Sequence, residues 1–260
     1  KVSMSVPHMV PMIPAGQYTL LDFYEAGGIP VMMKELATIL DLNGITCTGC
    51  TSKENIEKFQ NKNPDVIRSF KNPVHSRGGI AVLKGNVAPD GAVTKPSAIP
   101  ESTLLFRGPA KIYESEQDAL SGIRAKQVHG GEVVVIRNEG PKGGPGMREM
   151  FKAMKYMYGM GLAKSAALIT DGRFSGTNNG CFVGHISPEA AEGGPLAIVE
   201  DGDEISIDVI DGKLELHVSD EEIERRKKAW VRPEKPIPNG YLRLYSKVAS
   251  SADKGAIIEC

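Results

Sequence analysis

The chain has 260 residues, of which 41% are hydrophobic and 24% charged, and its formal net charge is −1. This composition is that of an ordinary soluble globular protein, and the near-zero charge gives no support to nucleic acid or an anionic membrane as a partner. No apolar run approaches the roughly 20 residues that span a bilayer, and the start has no signal-peptide core. Four cysteines fit a reducing compartment, so we expect a cytoplasmic protein. The chain starts at Lys1 without an initiator methionine, which suggests further residues upstream.

Residues 1–72 are predicted to be a segment of helices and coil. Pro7, Pro11 and Pro14 prevent a continuous helix at its start. Residues 29–40 then carry an apolar stripe at helical spacing, and a short charged helix is predicted at 53–60.

Residues 73–260 are predicted to form a second domain in which strands dominate. Short apolar runs separated by turn signals predict strands at 80–83, 92–95, 104–106, 132–136, 166–169, 196–199, 204–209 and 213–218. Helical spacing and capping residues predict helices at 115–124, 147–158, 219–228 and 241–248. So many strands do not suit a plain doubly wound sheet. We therefore predict a mixed α+β fold with a barrel-like, closed or nearly closed sheet and flanking helices.

Two motifs near the middle of the chain are candidates for chemistry. The run 132–136, the helix 147–158 and the run 166–169 predict a βαβ unit with both strand ends at one edge of the sheet. Glu149 would lie in the first turn of that helix, and Ser175 follows the second strand. The sequence therefore predicts that Glu149 and Ser175 lie at the same edge.

Each residue has an alternative interpretation. A glutamate in a first helical turn is often only favourable capping, whereas Mg²⁺ is usually held by one or two carboxylates with waters and substrate oxygens. Ser175 beside Arg173 could be a turn residue, or a base if its alkoxide is stabilised by a cation or oriented N–H groups. The glycines at 143, 144 and 146 could give a flexible turn or let the backbone approach an anion.

A hydrolase serine would need a histidine as its base, and the Gly-x-Ser-x-Gly pattern is absent. A pair of Ser175 with His185 stays open but unsupported. Cys47 and Cys50 form a C-x-x-C motif without a second pair at zinc spacing, so they are interpreted as structural or incidental thiols.

Several long runs together resemble the family of dihydroxy-acid and sugar-acid dehydratases. The main ones are NP at 72–73, GGIAVLKGN at 78–86, APDGAV at 88–93, EGPKGGPGMREM at 139–150, TDGRFSG at 170–176 and GHISPEAAEGGP at 184–195. The resemblance extends from the PAG run at 14–16 to the KGA run at 254–256, so it covers essentially the whole chain. It reaches only the C-terminal part of such an enzyme, a little under half. Cys50 departs from the lysine that the family usually shows there.

This resemblance implies a hydro-lyase of branched-chain amino acid biosynthesis that converts 2,3-dihydroxy-3-methyl acids to 2-oxo acids. Ser175 matches the base that removes the C2 proton, and Glu149 matches a Mg²⁺ ligand. Arg173, Gly176 and Thr177 are expected near the substrate. The family's iron–sulfur cluster acts as a Lewis acid and is held by cysteines of the N-terminal part, and none of the four cysteines of this chain falls at a cluster position.

The family further implies that residues 1–72 belong to a cluster-bearing domain that is otherwise absent, and that residues 73–260 form a swivelling β/β/α domain. It also implies a partner in the N-terminal half of the same enzyme, and a homodimer when complete. This chain alone is expected to be inactive. Two other functions remain open: a sugar-acid dehydratase acting on 6-phosphogluconate or an aldonate, and a non-catalytic module that binds a small acid or assists assembly.

Overall fold

The computed structural model describes residues 2–175 and 180–258, and the chain divides into two compact units, 1–79 and 80–260. The domain boundary after residue 72 stays a prediction. Within the described residues, every helix is too short or too polar to cross a bilayer.

The first unit is helical, as predicted. Its helices are α1 (Val2–Ser5), α2 (Leu20–Glu25), α3 (Gly28–Glu35) and α4 (Ser52–Glu57). Threonines begin α2 and α4: the Thr19 hydroxyl accepts from Asp22 N at 3.2 Å, and the Asp22 carboxylate accepts from Thr19 N at 2.6 Å. Such reciprocal bonds satisfy backbone groups that a helix start leaves unpaired. A small core forms where these helices meet the 61–67 segment: Phe23, Ala26, Val31, Val66 and Ile67.

The second unit is a mixed sheet with flanking helices. Its strands are β1 (Ala81–Leu83), β2 (Gly91–Thr94), β3 (Leu105–Tyr113), β4 (Val133–Ile136), β5 (Ala167–Thr170), β6 (Phe182–Ser187), β7 (Glu204–Asp208) and β8 (Lys213–Leu216). Its helices are α5 (Glu116–Arg124), α6 (Phe151–Gly159), α7 (Asp220–Ala229) and α8 (Tyr241–Val248). Neighbouring strands follow the order β1-β2-β6-β5-β4-β3-β7-β8. Strands β3, β4, β5 and β6 run parallel to their neighbours within that group.

Backbone hydrogen bonds nearly close this sheet into a barrel. Just after β1, Lys84 N donates to Gly212 O and Lys84 O accepts from Leu214 N, both at 2.9 Å. These bonds join the two edge strands, β1 and β8, through a bridge between Lys84 and Lys213. Closure removes the exposed edges that an open sheet would offer for unwanted pairing. The predicted mixed α+β fold with a nearly closed, barrel-like sheet is therefore confirmed.

The central strand β4 explains why its sequence is apolar throughout. Successive side chains of a strand point to opposite faces of the sheet. Val133 and Val135 belong to the core inside the barrel. Val134 and Ile136 pack outside it, in a second core with side chains of α5 and α6 such as Ile123. A strand covered on both faces needs no polar position.

Several predicted elements differ from the structure, among them the strand predicted at 104–106, which extends to Tyr113. The helix predicted at 147–158 begins only at Phe151, because residues 141–147 form turns and the next residues are extended. The strand predicted at 196–199 is a 3-10 turn, Pro195–Ile198, with proline at its first position. The helix predicted at 29–40 ends at Glu35. Short apolar runs fit a strand or a buried turn equally well, so periodicity alone did not distinguish them.

The barrel seam can be tested at Gly85. A β-carbon added there would lie 2.0 Å from Leu214 O, so Gly85→Ala must push the β1–β8 seam apart. We expect a loss of about 1–3 kcal/mol in the free energy of unfolding, measured by denaturant titration with tryptophan fluorescence. Gly159→Ala is the control, since a β-carbon there meets nothing within 4 Å. Equal effects of the two substitutions would contradict this account of the seam.

Candidate functional site

Three buried carboxylates mark one edge of the barrel. The parallel strands β4, β5 and β6 end at this edge, and each is followed within three residues by an acid: Glu139, Asp171 and Glu189. All three side chains are buried, at 0%, 0% and 2% exposure. Buried charges are costly unless hydrogen bonds compensate them, so these acids must have a structural or chemical task.

Asp171 ties two neighbouring loops together. One oxygen, Oδ1, accepts from Glu139 N at 2.9 Å. The other, Oδ2, accepts from Asn138 N at 3.0 Å and from Ala190 N at 2.9 Å. One side chain thus fixes the loop after β4 and the loop after β6 relative to the end of β5.

Glu189 fixes the glycine-rich loop that follows β4. Its carboxylate accepts from Lys142 N at 2.9 Å and from Gly143 N at 2.7 Å. A β-carbon on Gly144 would lie 2.6 Å from Glu139 Oε2, and one on Gly143 would be 2.8 Å from a neighbouring β-carbon. These two glycines are buried, so they permit close packing around the carboxylates rather than flexibility or approach to an anion.

Burial has a clear electrostatic cost at this edge. It raises the pKa of Glu189 to about 7, although the N–H groups of Gly143 and Lys142 act against the rise. Burial also raises the pKa of Asp171 to about 6, against the effect of its three N–H donors. Both shifts mean that the fold favours the protonated acids more than the unfolded chain does.

Glu149 does not lie in a helix, so its predicted position in the first helical turn is wrong. The chain turns at Gly146 and Met147, which have positive φ angles of 87° and 48°, and α6 starts two residues after Glu149. Glu149 instead pairs with Arg173 in an isolated parallel bridge. Two hydrogen bonds hold this pairing: Met150 N donates to Arg173 O at 2.8 Å, and Arg173 Nε donates to Met147 O at 2.5 Å.

The bridge brings the segments of Glu149 and Ser175 to the same edge of the sheet. Ser175 lies two residues beyond Arg173 and is partly buried, while Glu149 is exposed. Phe174 lies between Arg173 and Ser175, and its ring stacks on that of the buried Phe182 with the ring centroids 5.6 Å apart. The Phe174 side chain thus packs against the core, whereas Arg173 before it is exposed. Gly176 and Thr177 lie outside the described residues.

A cavity of about 300 Å³ lies beside this bridge. We call it the Arg173 cavity; its lining includes Met147, Arg173, His185 and Tyr245. Burial lowers the pKa of His185, and the nearby Arg173 lowers it further, so the imidazole is neutral at pH 7. The Tyr245 hydroxyl donates to Ala256 O at 2.6 Å and so ties α8 to the C-terminal segment.

The described residues do not form a complete metal site by themselves. Within residues 2–175 and 180–258, no three histidine, cysteine or acidic side chains meet in an arrangement that could hold a metal. Glu149 offers one exposed carboxylate, which fits Mg²⁺ only if other ligands come from elsewhere. Cys47 and Cys50 are exposed in the first unit, and burial raises the pKa of Cys181 to about 12. The described cysteines therefore do not fit an iron–sulfur cluster, which needs several thiolates together.

Sequence reasoning missed the part played by Glu139, Asp171 and Glu189. It also missed β6 as a strand, since Gly184 and His185 interrupt its apolar pattern. One signal could have found Glu139 and Asp171: each follows within three residues of a buried apolar run. In a parallel sheet such positions meet at one edge.

Family models and curated relatives that match this chain point to the same family. The model of the dihydroxy-acid/6-phosphogluconate dehydratase C-terminal domain matches residues 65–256, and that of the corresponding N-terminal domain matches residues 1–55. The chain is 52% identical to the dihydroxy-acid dehydratase of Acetivibrio thermocellus over 261 residues, which is 100% of this chain and 47% of the relative. The dihydroxy-acid dehydratases of Ruminiclostridium cellulolyticum and Clostridium beijerinckii are 46% and 50% identical, again over 100% of this chain and 47% of theirs. The chain thus spans about half the length of the curated relatives it matches.

The buried Glu189 predicts a specific dependence of stability on pH. Its folded pKa of about 7 lies above the usual 4.5, so the folded protein binds the proton more tightly. The free energy of unfolding should then fall as pH rises from about 4.5 through 7, by about 3 kcal/mol from this group. We expect Glu189→Gln to lose less stability than the unmodified chain between pH 5 and 8, measured by denaturant titration at each pH.

A matched control separates this effect from the loss of any carboxylate. Glu224→Gln removes the same charge from the exposed face of α7. A stability difference between the unmodified chain and Glu189→Gln that stays constant across this pH range would contradict the assigned pKa.

Proposed function

Because the chain belongs to the dihydroxy-acid/6-phosphogluconate dehydratase family, we propose that it forms one wall of a dihydroxy-acid dehydratase active site. The complete enzyme would remove water from a 2,3-dihydroxy-3-methyl acid to give a 2-oxo acid. The curated relatives that match the whole of this chain are named dihydroxy-acid dehydratase. The observation that supports the site most directly is the bridge that pairs Glu149 with Arg173, two residues before Ser175.

The reaction requires a base and a path for the leaving oxygen. The C2–H bond breaks, its electrons form the C2–C3 double bond, and the C3 hydroxyl departs with a proton as water. The resulting enol then gains a proton at C3 as the C2 hydroxyl loses one, which gives the 2-oxo acid. The proton at C2 is the difficult one, since it lies next to a carboxylate that already carries negative charge.

Ser175 is the proposed base for the C2 proton. A serine hydroxyl is a weak base unless its alkoxide is stabilised by a nearby positive charge or by N–H donors. Arg173 supplies a permanent cation two residues away along the chain, and the ring of Phe174 between them packs against Phe182. The task of Arg173 is thus to favour the alkoxide.

Glu149 is the proposed Mg²⁺ ligand of this wall. Its carboxylate is exposed, which suits Mg²⁺, a cation that keeps waters and substrate oxygens in its shell. When bound, Mg²⁺ would stabilise negative charge on the substrate oxygens and make the C2 proton more acidic. The remaining ligands would come from the part of the complete protein that precedes this chain, as would those of the iron–sulfur cluster that we propose for it.

Substitution of the base tests this proposal. In the complete enzyme, Ser175→Ala should reduce kcat by about 10²–10⁴-fold, measured as formation of the 2-oxo acid from 2,3-dihydroxy-3-methylbutanoate. The visible absorbance of the proposed iron–sulfur cluster and the binding of Mg²⁺ should stay unchanged, since Ser175 is a ligand of neither the cluster nor the metal ion. Ser165→Ala, a serine between α6 and β5, is the control and should keep full activity. Near-normal turnover of the Ser175 variant would overturn the assigned role.

Substitution of the ligand gives a separate test. Glu149→Gln keeps the size of the side chain but removes its charge, so the complete enzyme should need about tenfold or more Mg²⁺ for half-maximal turnover. Binding of Mn²⁺, followed by electron paramagnetic resonance, should weaken in parallel. Glu224→Gln is the matched control. An unchanged requirement for Mg²⁺ would exclude Glu149 as a ligand.

A further inference from the structure

Unusual backbone conformations concentrate around the Arg173 cavity. Among residues 2–175 and 180–258, five residues other than glycine have a positive φ angle: Lys126, Asn138, Met147, His185 and Ala256. Three of them, Met147, His185 and Ala256, line this single cavity of about 300 Å³. A positive φ is unfavourable for residues with a side chain, and such residues often collect at binding sites.

The described lining of the cavity carries positive charge and no negative charge. Of its eight described lining residues, Arg173 alone carries a permanent charge, and none is acidic. Its Nε donates to Met147 O, while the two terminal nitrogens of a guanidinium carry four more N–H donors. Burial keeps the neighbouring His185 neutral, so it can offer one N–H without adding charge. These groups suit an anion with two oxygens in one plane.

The walls of the cavity are held in place before any ligand binds. Tyr245 on α8 donates to Ala256 O, and Ser250 N donates to Ile257 O at 2.8 Å across the same C-terminal turn. On the opposite side, Arg173 anchors Met147 and His185 N donates to Gly172 O at 2.7 Å. A fixed cavity loses little conformational entropy on binding, which favours a small ligand.

The size and position of the cavity fit one end of a short acid. Its volume lies at the lower limit of ordinary ligand pockets. Ser175 follows Arg173 by two residues, a span of at most about 7 Å along the backbone. A carboxylate bound at Arg173 would therefore place the acid beside the segment that carries Ser175.

We propose that the Arg173 cavity binds the carboxylate group of the substrate, with the Arg173 guanidinium as its main donor. This inference rests on the proposed dehydratase function for the identity of the acid. Each oxygen of a carboxylate has more than one lone pair, so both oxygens can accept from Arg173 while one also stays available to a cation at Glu149. Arg173 then has two tasks: it holds the acid and stabilises the base beside it.

Nuclear magnetic resonance on this chain tests the cavity without turnover. The imidazole signals of His185 are followed while 2,3-dihydroxy-3-methylbutanoate is added, and in parallel its neutral amide. We expect the acid to shift these signals at millimolar concentration and the amide to leave them unchanged. Equal shifts with acid and amide, or no shift with the acid, would overturn the proposal.

Variants of Arg173 test the role of its charge. Arg173→Met should weaken binding of the acid by about tenfold or more, and Arg173→Lys should retain part of the affinity because the charge remains. Arg124→Met, which removes a cation from α5, should bind as the unmodified chain does. The two Arg173 variants are compared only if their amide spectra show a native fold. Unchanged affinity of Arg173→Met would contradict the assigned contact.

The outcome can be separated from that of the proposed function. Ser175→Ala in this chain should bind the acid normally, since it leaves Arg173 in place. If the acid shifts His185 but the complete Ser175→Ala enzyme keeps its turnover, the cavity stands and the assigned base fails. If Ser175→Ala abolishes turnover but the acid never reaches His185, the base stands and the cavity assignment fails.

Discussion

The Asp171 carboxylate, at the end of β5, accepts three backbone N–H groups from the loops that follow the two strands on either side of it, β4 and β6. The geometry of the whole edge depends on this one buried side chain. Without it, the N–H groups of Asn138, Glu139 and Ala190 would be buried without acceptors, at a cost of about 1–3 kcal/mol each. Glu189 repeats the arrangement one strand further, with Lys142 and Gly143 as donors. Two acids thus replace the regular hydrogen bonds that loops lack.

This framework explains why a glycine-rich loop can be rigid. Gly143 and Gly144 are buried against the acids, where any side chain would collide. The buried packing ends before Gly146, which is exposed, and the chain then pairs Glu149 with Arg173 in the parallel bridge. The exposed residues that we assign to chemistry are therefore positioned by buried residues that take no part in it.

Much of the fold could be predicted from the sequence, because its strands are apolar runs bounded by turn residues. The parallel pairing of β4 with β5, and the common edge for Glu149 and Ser175, follow from the right-handed βαβ rule. The local structure of Glu149 could not be predicted, since Met147 and Met150 imitate a helical stripe while Met147 has a positive φ angle. The hydrogen bonds of the buried acids could not be predicted either. Single carboxylates after strands carry no mark of the distant N–H groups they bind, and only the assembled loops show them.

The hydrogen bonds of Asp171 and Glu189 join only the loops after β4, β5 and β6, and none of them reaches α7 or the seam between β1 and β8. Glu139 extends the arrangement outward, since its carboxylate accepts from Glu116 N at the start of α5 at 2.9 Å. Changes in α7 or at the seam should therefore leave the edge intact, whereas changes at the start of α5 should not. For protein engineering, the three loops and the first turn of α5 form a transferable unit: they should be moved to another parallel sheet together, because any one alone would bury donors or carboxylates without partners.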